Sequence, residues 1–252
     1  MAVEERTLPS LDAFIALART RRSIRGYDPT RDVPDAVIEQ LIEAARWAPS
    51  GGNGQPWHFV VIRDAADRAW NVELFLKQQE HKAEMERAAR GQVRLTGAGF
   101  KNAPVHILVV GDPRVNESYP IRTKLEKSAR HFYSGLACAT LSLMFAARCL
   151  GLATQYVSDA GSPYMGTLLK VRYGIPDPLE VYELVPVGYP SSDVAPTPRR
   201  PLASMIHRGR FEADKLLSDA EMKRWLWKDS RLGAYGKGPS QGAIQAGAAD
   251  AE

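Results

Sequence analysis

The longest apolar stretch of the chain, from Ser134 to Ala147, has no charged side chain over fourteen residues. It ends at Arg148 and is too short to span a membrane, which takes about 20 apolar residues. A stretch of this length is typical of a helix buried in a globular core. We therefore predict a core helix from about Leu125 to Leu150, with the other elements packed around it, and no membrane association.

The composition is that of an ordinary globular protein, with 44% hydrophobic and 25% charged residues in 252. Disordered, collagen-like and disulfide-rich classes are excluded for the bulk of the chain. The two cysteines, Cys138 and Cys149, would lie about 16 Å apart along one helix, whereas a disulfide needs Cα atoms within about 7 Å. Free thiols and the lack of a signal-peptide pattern at the start predict a cytoplasmic protein.

The net charge is small for the length, because 33 basic and 29 acidic residues give +4. A nucleic-acid-binding protein typically carries a basic stripe with interleaved aromatic residues, or a recognisable docking motif. Acidic residues are interspersed throughout this sequence and neither feature is present, so we predict no nucleic-acid partner. The five histidines are scattered without metal-ligand spacing, and no metal site is predicted.

Hydrophobic periodicity and turn residues predict a mixture of helices and short strands. Strands are predicted over 57–62, 104–111, 154–158 and 181–187. Further helices are predicted over 10–25, 34–48, 163–173 and 218–229, with one or two amphipathic helices within 64–94. The pattern favours one α+β domain over residues 1–232, with helices packed on a mainly antiparallel sheet. Eleven of the twenty residues in 233–252 are Gly or Ala, which predicts a flexible tail.

The first candidate binding element is a basic cluster near the start, formed by Arg21, Arg22, Ser23 and Arg25. If the first helix extends to Arg25, then Arg21 and Arg25 share one face of it. Guanidinium groups and a hydroxyl are suited to the bidentate capture of a phosphate. The alternative is a solvated helix end, where the helix dipole favours cations.

The second candidate is a glycine-rich loop whose other notable residues are Pro49, Ser50, Asn53 and Gln55. Glycines allow close approach to a flat ligand, and amide side chains donate and accept hydrogen bonds, so the loop could bind the edge of a heterocycle. The alternative is an ordinary connector. The third candidate is the pair Arg199 and Arg200, which prolines hold on an extended segment. Its alternative is a basic surface linker.

In this order, the motifs resemble the FMN-dependent nitroreductase family, over about residues 8–208. They are Arg-Arg-Ser-x-Arg at 21–25, Ala-Pro-Ser-Gly-x-Asn-x-Gln-Pro-Trp at 48–57, Asn-Ala-Pro at 102–104, Gly-Leu-Ala-Thr at 151–154, and Val-Gly-Tyr-Pro at 187–190 followed by Arg-Arg-Pro-Leu at 199–202. The branch resembled is the one that contains iodotyrosine deiodinase and a flavin destructase. The resemblance implies a nitroreductase-like α+β fold, with a mainly antiparallel sheet flanked by helices. It also implies an intertwined homodimer with FMN at the subunit interface.

The resemblance assigns FMN contacts to four segments. The phosphate end would be held by Arg21, Arg22, Ser23 and Arg25, and from the far end of the chain by Arg199 or Arg200. FMN would be met across the dimer interface by Pro49, Ser50, Asn53 and Gln55. A hydrogen bond to flavin N5 would come from the strand end formed by Gln155, Tyr156, Val157, Ser158 and Asp159.

The implied activity is that of an oxidoreductase. NAD(P)H would reduce FMN by hydride transfer, and a nitroaromatic, a quinone or a similar electron-poor small molecule would reoxidise it with ping-pong kinetics. No protein residue is assigned a catalytic role, because the flavin carries the chemistry. An insertion over 64–101 is expected to cover the flavin as a lid. Candidate substrate contacts are Trp70, Phe75, Lys82 and Tyr133, and the alternative for each is surface or core packing.

Three alternative functions stay open at this point. One is a flavin destructase, which makes dimethylbenzimidazole from reduced flavin. Another is a reductive dehalogenase, although the Glu-x-x-x-Tyr pair of the deiodinase lid is replaced here by Glu73-x-x-x-Lys77. The third is a carrier or regulatory module that binds FMN without turnover.

Overall fold

The computed structural model describes residues 9–91, 96–193 and 197–231, apart from the side chains of Arg90 and Arg231. The chain separates into two compact units, residues 1–192 and 193–252, and each is described by itself. The tail predicted over 233–252 lies outside the described residues. The assignment of residues 1–232 to one domain, with a lid over 64–101, stays a prediction.

The first unit contains a four-stranded sheet and five helices among its described residues. The strands are β1 (Trp57–Ile62), β2 (Val105–Gly111), β3 (Ala153–Thr154) and β4 (Glu180–Gly188). The helices are α1 (Leu11–Thr20), α2 (Asp35–Arg46), α3 (Ala65–Arg90), α4 (Ile121–Cys149) and α5 (Pro163–Tyr173). The strand order is β1-β2-β4-β3, and every neighbouring pair is antiparallel. The α+β class and the mainly antiparallel sheet are confirmed.

The core lies between the sheet and α4. All seven residues of β2 are buried, as expected for an apolar strand with neighbours on both sides. Eight residues of α4 are buried as well, namely Phe132, Gly135, Leu136, Ala139, Thr140, Leu143, Met144 and Ala147. By length and composition α4 could cross a membrane, a test that core helices of soluble proteins also pass. Its buried face in this structure agrees with the predicted core helix.

Local capping explains where the predicted helices begin. The Ser10 hydroxyl accepts a hydrogen bond from the Ala13 N–H at the start of α1. The Asp64 carboxylate accepts one from the Asp67 N–H, and α3 then continues as one helix to a left-handed Gly91. The amphipathic region predicted within 64–94 is therefore a single helix over its described part.

The prediction that α1 extends to Arg25 is wrong. The helix ends at Thr20, and Arg21 has an extended backbone with ψ of 126°. The Ile24 N–H donates to the Thr154 carbonyl at 3.0 Å, which draws this segment alongside β3. Because the segment is extended, the predicted shared helix face of Arg21 and Arg25 does not exist.

The strand predicted over 154–158 is also shorter than expected. β3 comprises only Ala153–Thr154, and Ser158–Gly161 forms a short 3-10 turn. Val157 keeps an isolated bridge to Leu184 of β4. The chain therefore leaves the sheet just where the resemblance expects the flavin edge.

In the second unit, a short helix α6 (Asp219–Trp227) follows a proline-containing segment. Ser218 and Glu221 form a reciprocal capping box at its start. This agrees with the helix predicted over 218–229, although the helix ends two residues earlier.

Candidate functional site

Two of the predicted FMN-binding segments lie side by side in the first unit. Ser23 forms a parallel bridge with Thr154, directly before the segment from Gln155 to Asp159. Burial raises the pKa of Tyr156 to about 12, and the positive charge of Arg21 acts in the opposite direction. The arginine segment and the strand end are therefore adjacent in the fold, although they are far apart in sequence.

Gln155 is the best evidence for a ligand in this region. Gln155 is 6% exposed, and its Oε1 has no hydrogen-bond partner within the described part of the chain. A buried carbonyl oxygen without a donor costs about 1–3 kcal/mol, so such groups usually face a ligand or water. The edge of a flavin ring carries an N–H donor, and the unpartnered Gln155 Oε1 is an acceptor that fits it.

The glycine-rich loop has a defined backbone shape. Asn53 and Gln55 have positive φ of 54° and 49°, which is uncommon for residues other than glycine. The Gln55 N–H donates to the Ser50 hydroxyl at 3.0 Å, and the Tyr119 hydroxyl donates to the Gly51 carbonyl at 3.1 Å. Three residues of the loop are exposed, namely Pro49, Asn53 and Gln55. The loop thus presents its polar side chains outward from a fixed frame, as contact with a ligand from a second subunit would require.

Arg199 and Arg200 belong to the second unit. The Arg199 guanidinium donates to the Thr197 hydroxyl at 2.8 Å and to the Pro198 carbonyl at 3.0 Å, and the residue is exposed. Their role at an FMN phosphate stays a prediction. No group of three or more His, Cys, Asp or Glu side chains suited to a metal is found among the residues that the structure describes.

A cleft of about 570 Å³ opens beside the strand end, between α3, α4 and β4. Two of the predicted substrate contacts, Lys82 and Tyr133, line it together with Ser158 and Asp159. The Lys82 ammonium donates to Asp159 Oδ1 at 2.8 Å, and so joins α3 to the turn after β3. The Tyr133 hydroxyl donates to Glu180 Oε2 at 2.8 Å. The cleft is large enough for a small aromatic molecule.

The other two predicted substrate contacts do not line this cleft. Trp70 packs against Tyr173, with 6.3 Å between ring centroids. Phe75 is 5% exposed and packs edge-on against Phe100 at 5.2 Å. In this structure both residues make packing contacts, which is the alternative that the sequence leaves open for them.

Glu183 is the residue of the cleft that sequence reasoning missed. It is 6% exposed, and its Oε2 has no hydrogen-bond partner among the described residues. Burial raises its pKa to about 8, and the neighbouring Asp159 carboxylate adds to the rise. The available signal is a lone acid inside the apolar run from Val181 to Val187. At neutral pH this carboxyl is mostly protonated.

The comparison with known families decides the classification. Residues 18–189, which include the arginine segment and the cleft, match the profile described as Nitroreductase family. The chain belongs to the nitroreductase family. The resemblance seen in the sequence motifs is therefore confirmed, and so is the nitroreductase-like fold.

Relatives of this nitroreductase family member carry different names. An NADH dehydrogenase of Thermus thermophilus is 30% identical over 210 residues, which cover 80% of this chain and 98% of the relative. A 5,6-dimethylbenzimidazole synthase of Rhodospirillum rubrum is 29% identical over 58% of this chain and 69% of that protein. A solved structure of oxidised iodotyrosine deiodinase, bound to FMN and 3-iodo-L-tyrosine, superposes with a TM-score of 0.61 at 20% identity. It covers 78% of this chain and 99% of the deiodinase chain, and it supports the shared fold.

Proposed function

We propose that this nitroreductase family member is an FMN-dependent oxidoreductase that accepts a hydride from NAD(P)H and reduces nitroaromatics, quinones or similar electron-poor molecules. The observation that carries the proposal is the pairing of the arginine segment with the strand end that holds the buried, unpartnered Gln155. The relative named NADH dehydrogenase and the FMN-bound deiodinase support the reductant and the cofactor.

The chain's own residues would bind and orient the flavin. Arg21, Arg22 and Ser23 supply a guanidinium pair and a hydroxyl for the phosphate, and Arg199 or Arg200 would add a further cation. The segment from Gln155 to Asp159 would bind the polar edge of the ring system. Bound FMN supplies hydride transfer, and the protein tunes it and excludes water.

We also propose a cytoplasmic homodimer in which the glycine-rich loop reaches the partner's flavin. Large apolar side chains that remain exposed support a further interface. In the second unit these are Leu202, Met205, Ile206, Phe211, Leu216, Leu226 and Trp227.

An anaerobic absorbance titration tests the proposed function. Purified protein is loaded with FMN, and NADH or NADPH is added without oxygen. We expect the flavin band to bleach and to return when a quinone or nitroaromatic is added. Bound flavin that resists both nucleotides would favour the destructase or carrier alternative, and a protein that takes up no FMN would refute flavin dependence.

The loop assignment has its own test in the Asn53→Gly variant. Glycine tolerates the positive φ at this position, so the substitution removes the side chain without straining the backbone. We expect FMN affinity to fall roughly tenfold, the cost of one hydrogen bond to a ligand, with no change in thermal stability. Fluorescence titration with FMN measures the first, and unchanged affinity would remove the loop from the FMN site.

A further inference from the structure

The cleft beside the strand end has an unusual charge distribution. Its lining includes three carboxyl groups, from Asp159, Glu180 and Glu183, and a single ammonium, from Lys82. Lys82 pairs with Asp159, and Glu180 accepts a hydrogen bond from Tyr133. Glu183 has neither kind of contact at Oε2 within the described residues. The lining therefore holds more anionic capacity than the chain itself neutralises.

Glu183 is also buried where a carboxyl group is costly. Only 6% of the residue is exposed, so the carboxyl group keeps few of the hydrogen bonds that it makes to water in the unfolded chain. Buried polar atoms are nearly always hydrogen-bonded, so an unpartnered one beside a cleft points to a contact that a ligand or water supplies. The nearby Asp159 carboxylate means that a positively charged ligand would interact favourably with both groups.

Aromatic rings complete the lining. Tyr133 and Tyr182 stack with 6.2 Å between ring centroids and an interplanar angle of 28°. Both rings contribute to the cleft. Such faces contact flat rings and also stabilise nearby cations.

We infer that the cleft is a binding subsite for the protonated amine of a small aromatic molecule, with Glu183 and Asp159 pairing the cation and the tyrosine rings contacting the aromatic part. As a statement about the substrate of the reduction, this rests on the proposed function. As a statement about binding, it stands by itself. The chain provides a stand-in, because the ammonium of Lys82 already lies 2.8 Å from an Asp159 oxygen.

Binding of a cation in the cleft is coupled to the release of a proton from Glu183. The titratable groups that interact with Glu183 are Asp159 on the turn after β3 and the hydroxyls of Tyr156 and Tyr182, and Lys82 on α3 is paired with Asp159. With a pKa of about 8 in the free protein, Glu183 is mostly protonated at pH 7. An ammonium ligand favours the carboxylate, so Glu183 ionises, the carboxylate pairs with the ligand, and its proton passes to the buffer.

Isothermal titration calorimetry with benzylamine and benzyl alcohol tests the subsite. The two probes have similar size, and benzylamine is a cation at pH 7. With the full chain, free and loaded with FMN, we expect benzylamine to bind roughly tenfold or more tightly than the alcohol. Titrations in two buffers of different ionisation enthalpy should show the release of about one proton per benzylamine bound. Equal affinities, or no proton release, would overturn the inference.

Three variants make the test specific. Glu183→Gln should abolish the proton release and weaken the preference for benzylamine, of which Asp159 keeps a part. Lys82→Met removes the competing ammonium and should tighten benzylamine binding severalfold, which unchanged or weaker binding would contradict. Glu84→Gln, on an exposed position of α3, should behave as wild type. Benzylamine selectivity in a protein that NAD(P)H does not reduce would refute the proposed function and keep the subsite. A protein that NAD(P)H reduces, but that binds benzylamine and benzyl alcohol equally, would refute the subsite and keep the proposed function.

Discussion

The Arg22→Ala variant is expected to bind FMN roughly ten- to a hundredfold more weakly than the wild type, because a charge-assisted contact to a phosphate contributes about 1.5–3 kcal/mol. Arg22 is partly buried in the extended segment that pairs with Thr154, so its backbone is held by the sheet. A fixed backbone reduces the entropy lost when the side chain orders on a ligand. Quenching of flavin fluorescence during titration of the apoprotein gives the dissociation constant.

Two further variants control this measurement. Arg19→Ala removes an exposed cation from the last turn of α1 and should leave FMN affinity close to wild type. Arg22→Lys keeps the charge but not the bidentate geometry, and should recover only part of the loss. If Arg22→Ala and Arg199→Ala both bind FMN as the wild type does, the phosphate assignment is wrong.

The second large effect concerns pH and the Glu183→Gln variant. The pKa of Glu183 rises from its ordinary value of 4.5 to about 8 in the folded protein. The folded state therefore binds more protons than the unfolded state between these values, and the contribution of Glu183 to stability falls as the pH rises through this window. The variant has no such titration. We expect the free energy of unfolding of the variant, relative to that of the wild type, to increase by several kcal/mol, on the order of 4, between pH 5 and pH 9.

Urea unfolding of both proteins across this pH range measures the difference. The comparison with the variant is needed because His106 changes the stability of the wild type with pH in the opposite direction. Burial lowers the pKa of His106 to about 4 from 6.5, so its contribution to stability rises with pH between these values. That contribution is common to both proteins and cancels. Parallel stability curves for wild type and variant would show that Glu183 is already ionised in the folded state.

Local signals explain which elements the sequence predicts well. β1 and α5 are found at the predicted residues, 57–62 and 163–173. The first is bounded by Pro56, and the second has Ser162 and Gly174 as its caps. Capping and breaking act within a few residues, so a single sequence contains the information.

The errors come from contacts between distant residues. The first helix stops before Arg25 because Ile24 pairs with Thr154, a partner that no local pattern reveals. The arginine motif is recognisable in the sequence, but its position beside the strand end is a property of the folded sheet. Glu183 was missed for the same reason. Its burial depends on the pairing of β4 with β2 and on the turn at Ser158–Gly161, which together enclose a side chain that would otherwise be solvated.

The two sides of the cleft differ in how firmly they are held. Tyr133 follows Phe132, which is 2% exposed and packed in the core beneath Gly111. Lys82, opposite, is tied to Asp159 by an ion pair whose lysine side chain is about half exposed. An exposed ion pair contributes about 1 kcal/mol or less, whereas moving Phe132 would open a void in the core. The Tyr133 side of the cleft is therefore anchored in the core, whereas on the opposite side the Lys82 side chain can move away from Asp159 at the cost of one partly exposed ion pair, while buried residues such as Phe75 hold α3 itself in place.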